Sequence, residues 1–276
     1  WAQYKTGKNK SALDTIVRAI RMTKGLSEEE QAKRGTALQN DAYDAMVLFY
    51  SEAGNPKEAQ KFFEKEVGEQ ATPELLSKLT SIYQRQGRYG EALTSSKQLE
   101  SVDEGAKEAG SAKRYEILNN ALKLARQRRD YPKEMAITNS LIAEYIQKNG
   151  PEEIQESIKI GLRNAALEAH KESDKASNPA AAQERALNLY KLYLGTFSAK
   201  TTKEDIYEIH YYLADLYAQA NRHRESASQY RFLVKAAIDD SGNSYLKKVK
   251  RSCAEGLIFA LDSYFEKNKD AKPTRQ

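Results

Sequence analysis

The sequence predicts an all-α protein built from antiparallel helix pairs that recur along the chain. Two stretches carry the same residue types at one spacing of 33 residues, as shown by three pairs of positions: Tyr50 and Tyr83, Gly54 and Gly87, Ala59 and Ala92. Recurrence at a fixed period of this length is the signature of helical repeat architectures. The composition agrees, because the 276 residues include only 6 prolines and show no run of alternating β-branched residues.

Each recurring position has a physical role in a helix pair. The tyrosine lies late in the first helix and is expected to pack toward the second helix. The glycine is expected to end the first helix in the left-handed backbone region, which glycine enters at little cost. The alanine is small, so it suits the point where the two helices cross most closely.

Two further stretches match this pattern. Residues 207–240 carry it with Asn221 at the turn and Ser226 at the crossing, and asparagine tolerates the left-handed region better than most residues. The first 24 residues carry the turn and the start of a second helix, with the first helix present only as a stub from Trp1, so we expect the chain to be a fragment of a longer protein. The clear repeats are therefore 1–24 (partial), 40–72, 73–106 and 207–240.

The period loosens between residues 107 and 200, where irregular helical repeats are expected. Helices are predicted over 151–175, opening at Pro151, and over 180–197, with a loop at 175–179 between them. Residues 239–243 form a predicted turn, and 244–268 a capping helix that closes the array.

The net charge of +5 arises partly from two basic runs, Lys113 to Lys133 and Lys247 to Arg251. At about 100° per residue the cations of the first run spread around a helix instead of forming one stripe, so a solvated surface is the favoured interpretation. This argues against nucleic acid as a partner. Apolar stretches all fall short of the roughly 20 residues that a membrane span needs.

Residue patterns that carry chemistry are missing from the sequence. His170, His210 and His223 lack neighbours at metal-binding spacing, and His210 and His223 are expected to be structural. Cys253 is the only cysteine and is expected to be a small core residue. The acidic run 239–243 lacks the alternating ligands of a calcium loop. We therefore predict that the protein is not an enzyme, with no catalytic residue, cofactor or metal.

The repeated positions resemble those of the tetratricopeptide repeat (TPR) family. This resemblance implies a right-handed superhelical solenoid of about a dozen helices over residues 1–276, with the first helix of each pair lining a concave wall. TPR proteins commonly capture peptides on that wall with a carboxylate clamp of Lys, Asn and Arg. The present sequence departs from the clamp, because the equivalent positions hold Asp44, Ser77 and Tyr211 in place of Lys.

The segment Tyr190 to Val234, with Tyr211-Tyr212-Leu213-Ala214-Asp215 inside it, is similar to repeats of bacterial cell-envelope proteins. Examples are outer-membrane assembly lipoproteins, partners of the Tol-Pal system and gliding-motility repeat proteins. This similarity favours a periplasmic location in the cell envelope over a cytoplasmic one.

The function expected from these observations is a scaffold that binds a protein or peptide partner through the concave wall. The predicted wall residues are Asp44, Leu48, Glu52, Ser77, Ser81, Arg85, Tyr211, Asp215 and Gln219. Two alternatives remain open: a helical repeat protein that binds single-stranded RNA, and the non-catalytic repeat region of a larger enzyme. The sequence leaves the identity of the partner and the oligomeric state open.

Overall fold

The structure, a computed structural model, describes residues 1–24, 28–102, 106–176 and 179–268, without the side chains of 24, 28–38 and 106–109. In these ranges the chain is all-helical, with 86% helix, thirteen α-helices and no strand. The prediction of an all-α protein is therefore confirmed. Contacts divide the chain into two compact units, Trp1–Ile137 and Thr138–Gln276.

The first unit begins with four helices of increasing and then decreasing length: α1 (Ala2–Lys5), α2 (Asn9–Lys24), α3 (Glu28–Ala53) and α4 (Ala59–Val67). A 3₁₀ turn, Pro56–Glu58, connects the last two. Three helices, each longer than α4, follow: α5 (Thr72–Arg85), α6 (Tyr89–Val102) and α7 (Ala106–Gln127). The boundary between the two units falls inside α8 (Tyr131–Leu141). The repeat predicted from residue 40 thus starts inside a helix that begins at Glu28.

The second unit opens with the end of α8 and a π-helical segment, Ile142–Ile146, and continues with α9 (Glu152–Lys175) and α10 (Ala180–Phe197). A 3₁₀ turn precedes α11 (Lys203–Gln219), which is followed by α12 (His223–Asp239) and α13 (Ser244–Lys267). The helices predicted over 151–175, 180–197 and 244–268 are therefore present to within one residue at each end. Part of the predicted loop at 175–179, residues 177 and 178, lies outside the described residues.

The core of the first unit forms where α3, α5 and α6 pack together. Ala59 and Ala92 are fully buried, as expected for small residues at helix crossings, and Tyr83 is fully buried beside them. Thr80 and Ser95 share a hydrogen bond of 2.8 Å across the α5–α6 crossing. The small side chains let the two helices approach closely enough for this bond.

The core of the second unit repeats this arrangement at the α11–α12 crossing. Ser226 is fully buried, and its hydroxyl donates a 2.8 Å hydrogen bond to the carbonyl oxygen of Ala214 on the facing helix. The ring of Tyr230 lies against α13 at Gly256, where a Cβ would come within 2.6 Å of ring carbons. Cys253 is 1% exposed, so its expected place in the core is confirmed.

The turn positions follow the sequence prediction at two sites and depart from it at a third. Gly87 has φ 71° and Asn221 has φ 57°, both in the left-handed region. Gly54, in contrast, lies outside that region, so the prediction for it was wrong. The reason for glycine there is close contact, because a Cβ at position 54 would lie 2.5 Å from ring carbons of Tyr50. The Tyr50 hydroxyl then reaches the Asn55 carbonyl oxygen at 2.8 Å.

The buried crossing at Ala92 yields a stability prediction. Ala92→Leu places three additional carbons in a filled space and should lower the free energy of unfolding by about 1 to 3 kcal/mol. Thermal and urea unfolding followed by circular dichroism measure this change. Ala112→Leu is the matched control, because Ala112 lies exposed on α7 of the same unit. Equal losses of stability in the two variants would show that Ala92 does not mark a close crossing.

Candidate partner-binding surfaces

The predicted wall residues of the first unit lie on α3 and α5, which pack side by side. Two polar contacts join these helices, and in each contact the two residues are 34 positions apart in the sequence. The Lys78 ammonium lies 2.6 Å from Asp44 Oδ1, and the Gln86 amide donates to Glu52 Oε1 at 2.7 Å. Because Lys78 and Gln86 directly follow Ser77 and Arg85 in sequence, the wall residues of the two helices lie near each other.

This surface of the first unit is polar and largely charge-balanced. The hydrogen bond that Lys78 donates to Asp44 is the largest cause of the raised pKa of Lys78, so the ammonium group stays protonated. Ser77 and Arg85 are exposed, whereas Leu48 is half-buried and packs against the core. Leu48 therefore offers a partner less apolar area than the sequence pattern predicts.

The predicted wall residues of the second unit lie one turn apart along α11. The Gln219 amide donates a 3.0 Å hydrogen bond to Asp215 Oδ2. The Asp215 side chain is 46% exposed, yet burial raises its pKa above the usual range, and the nearby Asp174 raises it further. Asp215 thus carries a negative charge that its surroundings only partly compensate.

His170 on α9 is buried next to this surface, and the sequence interpretation missed its contact with Asp215. Its Nε2 atom lies 3.8 Å from Asp215 Oδ2, too far for a hydrogen bond, and its Nδ1 atom lies 3.3 Å from the Tyr190 hydroxyl. Burial lowers the pKa of His170, more than the two neighbouring aspartates raise it. The ring is therefore neutral near pH 7, and it compensates the charge of Asp215 only when it becomes protonated at lower pH.

Tyrosine rings surround this pair. Tyr190 and Tyr212 stack with ring centroids 6.1 Å apart, and the His170 ring meets both of them edge-on. Tyr211 is half-buried, lies edge-on to Tyr230 and forms a hydrogen bond with Ser252. Tyr211 therefore contributes to the core as well as to the surface on which it was predicted.

Acidic groups outnumber basic groups on this part of the second unit. Arg163 on α9 forms an ion pair with Glu208 and lies 3.4 Å from Asp205 Oδ1. Four carboxylates therefore lie near this surface with one guanidinium among them: Asp174, Asp205, Glu208 and Asp215. The excess of carboxylates over the one guanidinium in this set of contacts favours a cationic ligand group.

The contacts between α9 and α11 explain why His170 escaped the sequence search. Arg163 pairs with Glu208 and Lys200 with Gln155, and both pairs are 45 residues apart, the same separation as His170 and Asp215. A search at a spacing of 33 residues cannot align helices that are 45 residues apart. A signal was present, however, because residues of complementary polarity recur at the longer spacing.

The other two histidines have packing roles, as expected. His210 lies against the Phe232 ring at 4.1 Å, with Nδ1 2.6 Å from the Gln229 amide oxygen, and burial lowers its pKa. His223 is buried and meets the Phe259 ring edge-on at 6.2 Å. Cys253 is also held inside the protein, where burial raises the pKa of the thiol to about 11.

Metal sites and membrane spans are absent from residues 1–24, 28–102, 106–176 and 179–268. Within them, no three histidine, cysteine, aspartate or glutamate side chains are grouped as metal ligands. None of the helices in the described part of the chain has the length and apolar character needed to cross a membrane.

Comparisons of the chain with models of protein families and with curated protein sequences give no match. The resemblance to TPR proteins therefore depends on the recurring residues themselves. The surfaces described above are the basis for a functional proposal.

The lowered pKa values of two histidines lead to a prediction of how stability depends on pH. His170 and His210 have folded-state pKa values below the usual histidine value of 6.5, so the unfolded chain binds protons first as the pH falls. The melting temperature should therefore decrease between about pH 7.5 and pH 5.5, where the unfolded histidines become protonated. The double variant His170→Gln, His210→Gln should show a smaller decrease over the same range. The difference in melting temperature between the two pH values is taken within each protein, which removes the direct effect of the substitutions on stability. An equal difference in the double variant and the unmodified protein would contradict the prediction.

Proposed function

We propose that the protein is a non-catalytic interaction scaffold of the TPR type, whose helix pairs form right-handed superhelical arrays. Its partner is an extended segment of another protein or a peptide. In the first unit this segment binds along α3 and α5, and in the second along α9 and α11. The recurring residues and the polar surfaces on these helices support the proposal.

One observation carries this proposal, namely the state of Asp215. Its carboxylate is partly desolvated, remains within reach of solvent, and faces a histidine that burial keeps neutral. Removing an ionised group from water is unfavourable unless an opposite charge replaces the lost solvation. A lysine or arginine side chain of a partner, placed over Asp215 beside Tyr211, would supply that charge.

The chemistry of the surface specifies the ligand further. Tyr211 and Tyr212 offer aromatic faces near the carboxylates, and a cation bound there gains from the ring as well as from the charge. The second unit should therefore prefer basic segments with an aromatic or aliphatic neighbour. A small apolar ligand is not favoured, since it would require an enclosed apolar pocket.

Binding of single-stranded RNA is less well supported by the same surface. Phosphate groups would meet Asp174, Asp205, Glu208 and Asp215, and Arg163 is already engaged by carboxylates. The remaining alternative, that this chain belongs to a larger enzyme as its repeat region, leaves the binding role of these surfaces unchanged. The similarity of residues 190–234 to envelope repeat proteins leads us to propose the periplasm as the compartment.

Peptide selection tests the proposal without knowledge of the natural partner. A phage-displayed library of random peptides is selected on the protein, and the enriched peptides are synthesised for anisotropy measurements. We expect basic peptides whose affinity falls about tenfold or more in Asp215→Asn, because a close charge pair at a partly desolvated site is lost. Asp239→Asn is the matched control, since Asp239 is an exposed acid on α12 of the same unit.

The first unit provides an independent comparison. Arg85→Glu should alter the affinity of peptides that bind α3 and α5, whereas Lys97→Glu, at an exposed position of α6, should leave it unchanged. To test the contribution of Tyr211 to binding, Tyr211→Phe is preferable to Tyr211→Ala, because phenylalanine keeps the ring that packs on Tyr230. Enriched peptides that bind all variants equally would contradict the proposal, as would tight binding of labelled RNA that weakens steeply with salt.

A further inference from the structure

Helix α13 presents two different faces along its length. Leu246, Cys253 and Ala260 are buried and recur every seven residues on the side that packs against the rest of the second unit. A second apolar row lies about 80° to 140° away from Cys253 around the helix. This row, here called the outer stripe, consists of Ala254, Ile258, Leu261 and Phe265.

The outer stripe is open to solvent. Ile258 and Phe265 are each 61% exposed, and Ala254 and Leu261 are half-buried. The spacing of these residues, alternately four and three positions, is the spacing at which one helix packs against another. Exposed apolar rows of this kind are typical of surfaces that receive a partner.

The stripe continues at its N-terminal end into a basic patch. Lys247 and Arg251 lie on the same side of the helix as the stripe, and Lys250 borders it. Among the ion pairs of the described side chains, Arg251 takes part in one, with Glu255 of the same helix at 2.8 Å. Both groups are well exposed. An exposed pair of this type contributes little and can exchange for an intermolecular contact.

We propose that the outer stripe and basic patch of α13 form a docking site for an amphipathic helix with an acidic end. The partner helix lies antiparallel to α13, as consecutive helices of this unit do. Its apolar side covers Ile258, Leu261 and Phe265. Its acidic C-terminal turns lie over Lys247 and Arg251, so the charges of the two surfaces are complementary.

A second copy of this chain fits the same surface less well. Overlapping the two stripes antiparallel places Ile258 opposite Leu261 of the other copy, and Lys247 then lies beyond the end of the other α13 at Lys267. A parallel pair would bring Lys247 and Arg251 against their own counterparts. In neither case does Lys247 lie opposite a carboxylate of the other α13.

A membrane surface of anionic lipids also fits less well. Interfacial helices place cations beside their apolar face. Here Glu255 and Asp262 border the outer stripe along one side, and both are exposed. Lipid headgroups would therefore meet carboxylates along the length of the stripe.

Two synthetic peptides of about 18 residues test the docking site, since this length spans five helical turns. Both carry leucines at the positions that face the stripe, and one ends in glutamates where the other ends in lysines. Fluorescence anisotropy should show about tenfold or more tighter binding of the acidic peptide to the unmodified protein. Ile258→Glu and Phe265→Glu should each weaken that binding by about tenfold or more.

Matched variants separate the stripe from general effects. Ile160 is 51% exposed on α9 of the same unit, so Ile160→Glu should leave binding of the acidic peptide unchanged. Lys247→Glu combined with Arg251→Glu should reverse the preference between the two peptides. Circular dichroism melts establish that each variant is folded, and Phe265→Ser supplies a milder substitution if Phe265→Glu is not.

Four results would overturn this proposal. The first two are equal binding of the two peptides and failure of the unmodified protein to bind the acidic one. The third is a dimer by light scattering that Ile258→Glu dissociates, which would assign the stripe to a second copy. The fourth is binding to anionic vesicles that depends on Phe265, which would assign the stripe to a lipid surface. Asp215→Asn should leave the acidic peptide bound, so this site and the proposed wall can fail independently.

Discussion

Close crossings of neighbouring helices are the constraint on which both units depend. At these crossings a small side chain is completely enclosed, as Ala92 and Ser226 are, and a larger one would force the helices apart. Ser226 adds a direct hydrogen bond to the Ala214 carbonyl oxygen, which is possible only at short interhelical distance. Once the crossings are set, the surfaces of α5 and α11 that face away from them are determined as well.

The parts of the fold that follow from local chemistry could be predicted from the sequence. Asn221 and Gly87 adopt the left-handed backbone expected of helix-ending residues, and α10 has the predicted bounds. Gly54 shows the limit of such inference, because its role depends on the Tyr50 ring and not on backbone conformation. The residue type alone does not distinguish these two roles, because glycine suits a left-handed backbone and a close contact with a ring equally well.

The candidate surface of the second unit could be predicted only in part. Asp215 and Gln219 follow from the position of α11 in its repeat, but His170 comes from a helix 45 residues earlier. The longer separation reflects the lengths of α9 and α10, and no local pattern announces which helix will lie beside α11. Burial is the largest cause of the raised pKa of Asp215, and Asp174 on α9 raises it further. The electrostatic character of the surface is thus a property of packing, and the sequence predicts the residue without predicting its state.

The two candidate surfaces of the second unit differ in what would make them bind. At Asp215 the favourable contribution to the binding free energy would be electrostatic, because a cationic group of a partner would replace solvation that the carboxylate has already lost on folding. On α13 the favourable term is removal of Ile258 and Phe265 from water, and the charges at Lys247 and Arg251 mainly select which helix binds and in which direction. Added salt should therefore cause a larger fold-decrease in the affinity of a partner at Asp215 than in the affinity of a partner on the outer stripe. A difference in salt dependence between the two sites is the expected consequence of building one from a carboxylate and the other from an apolar row.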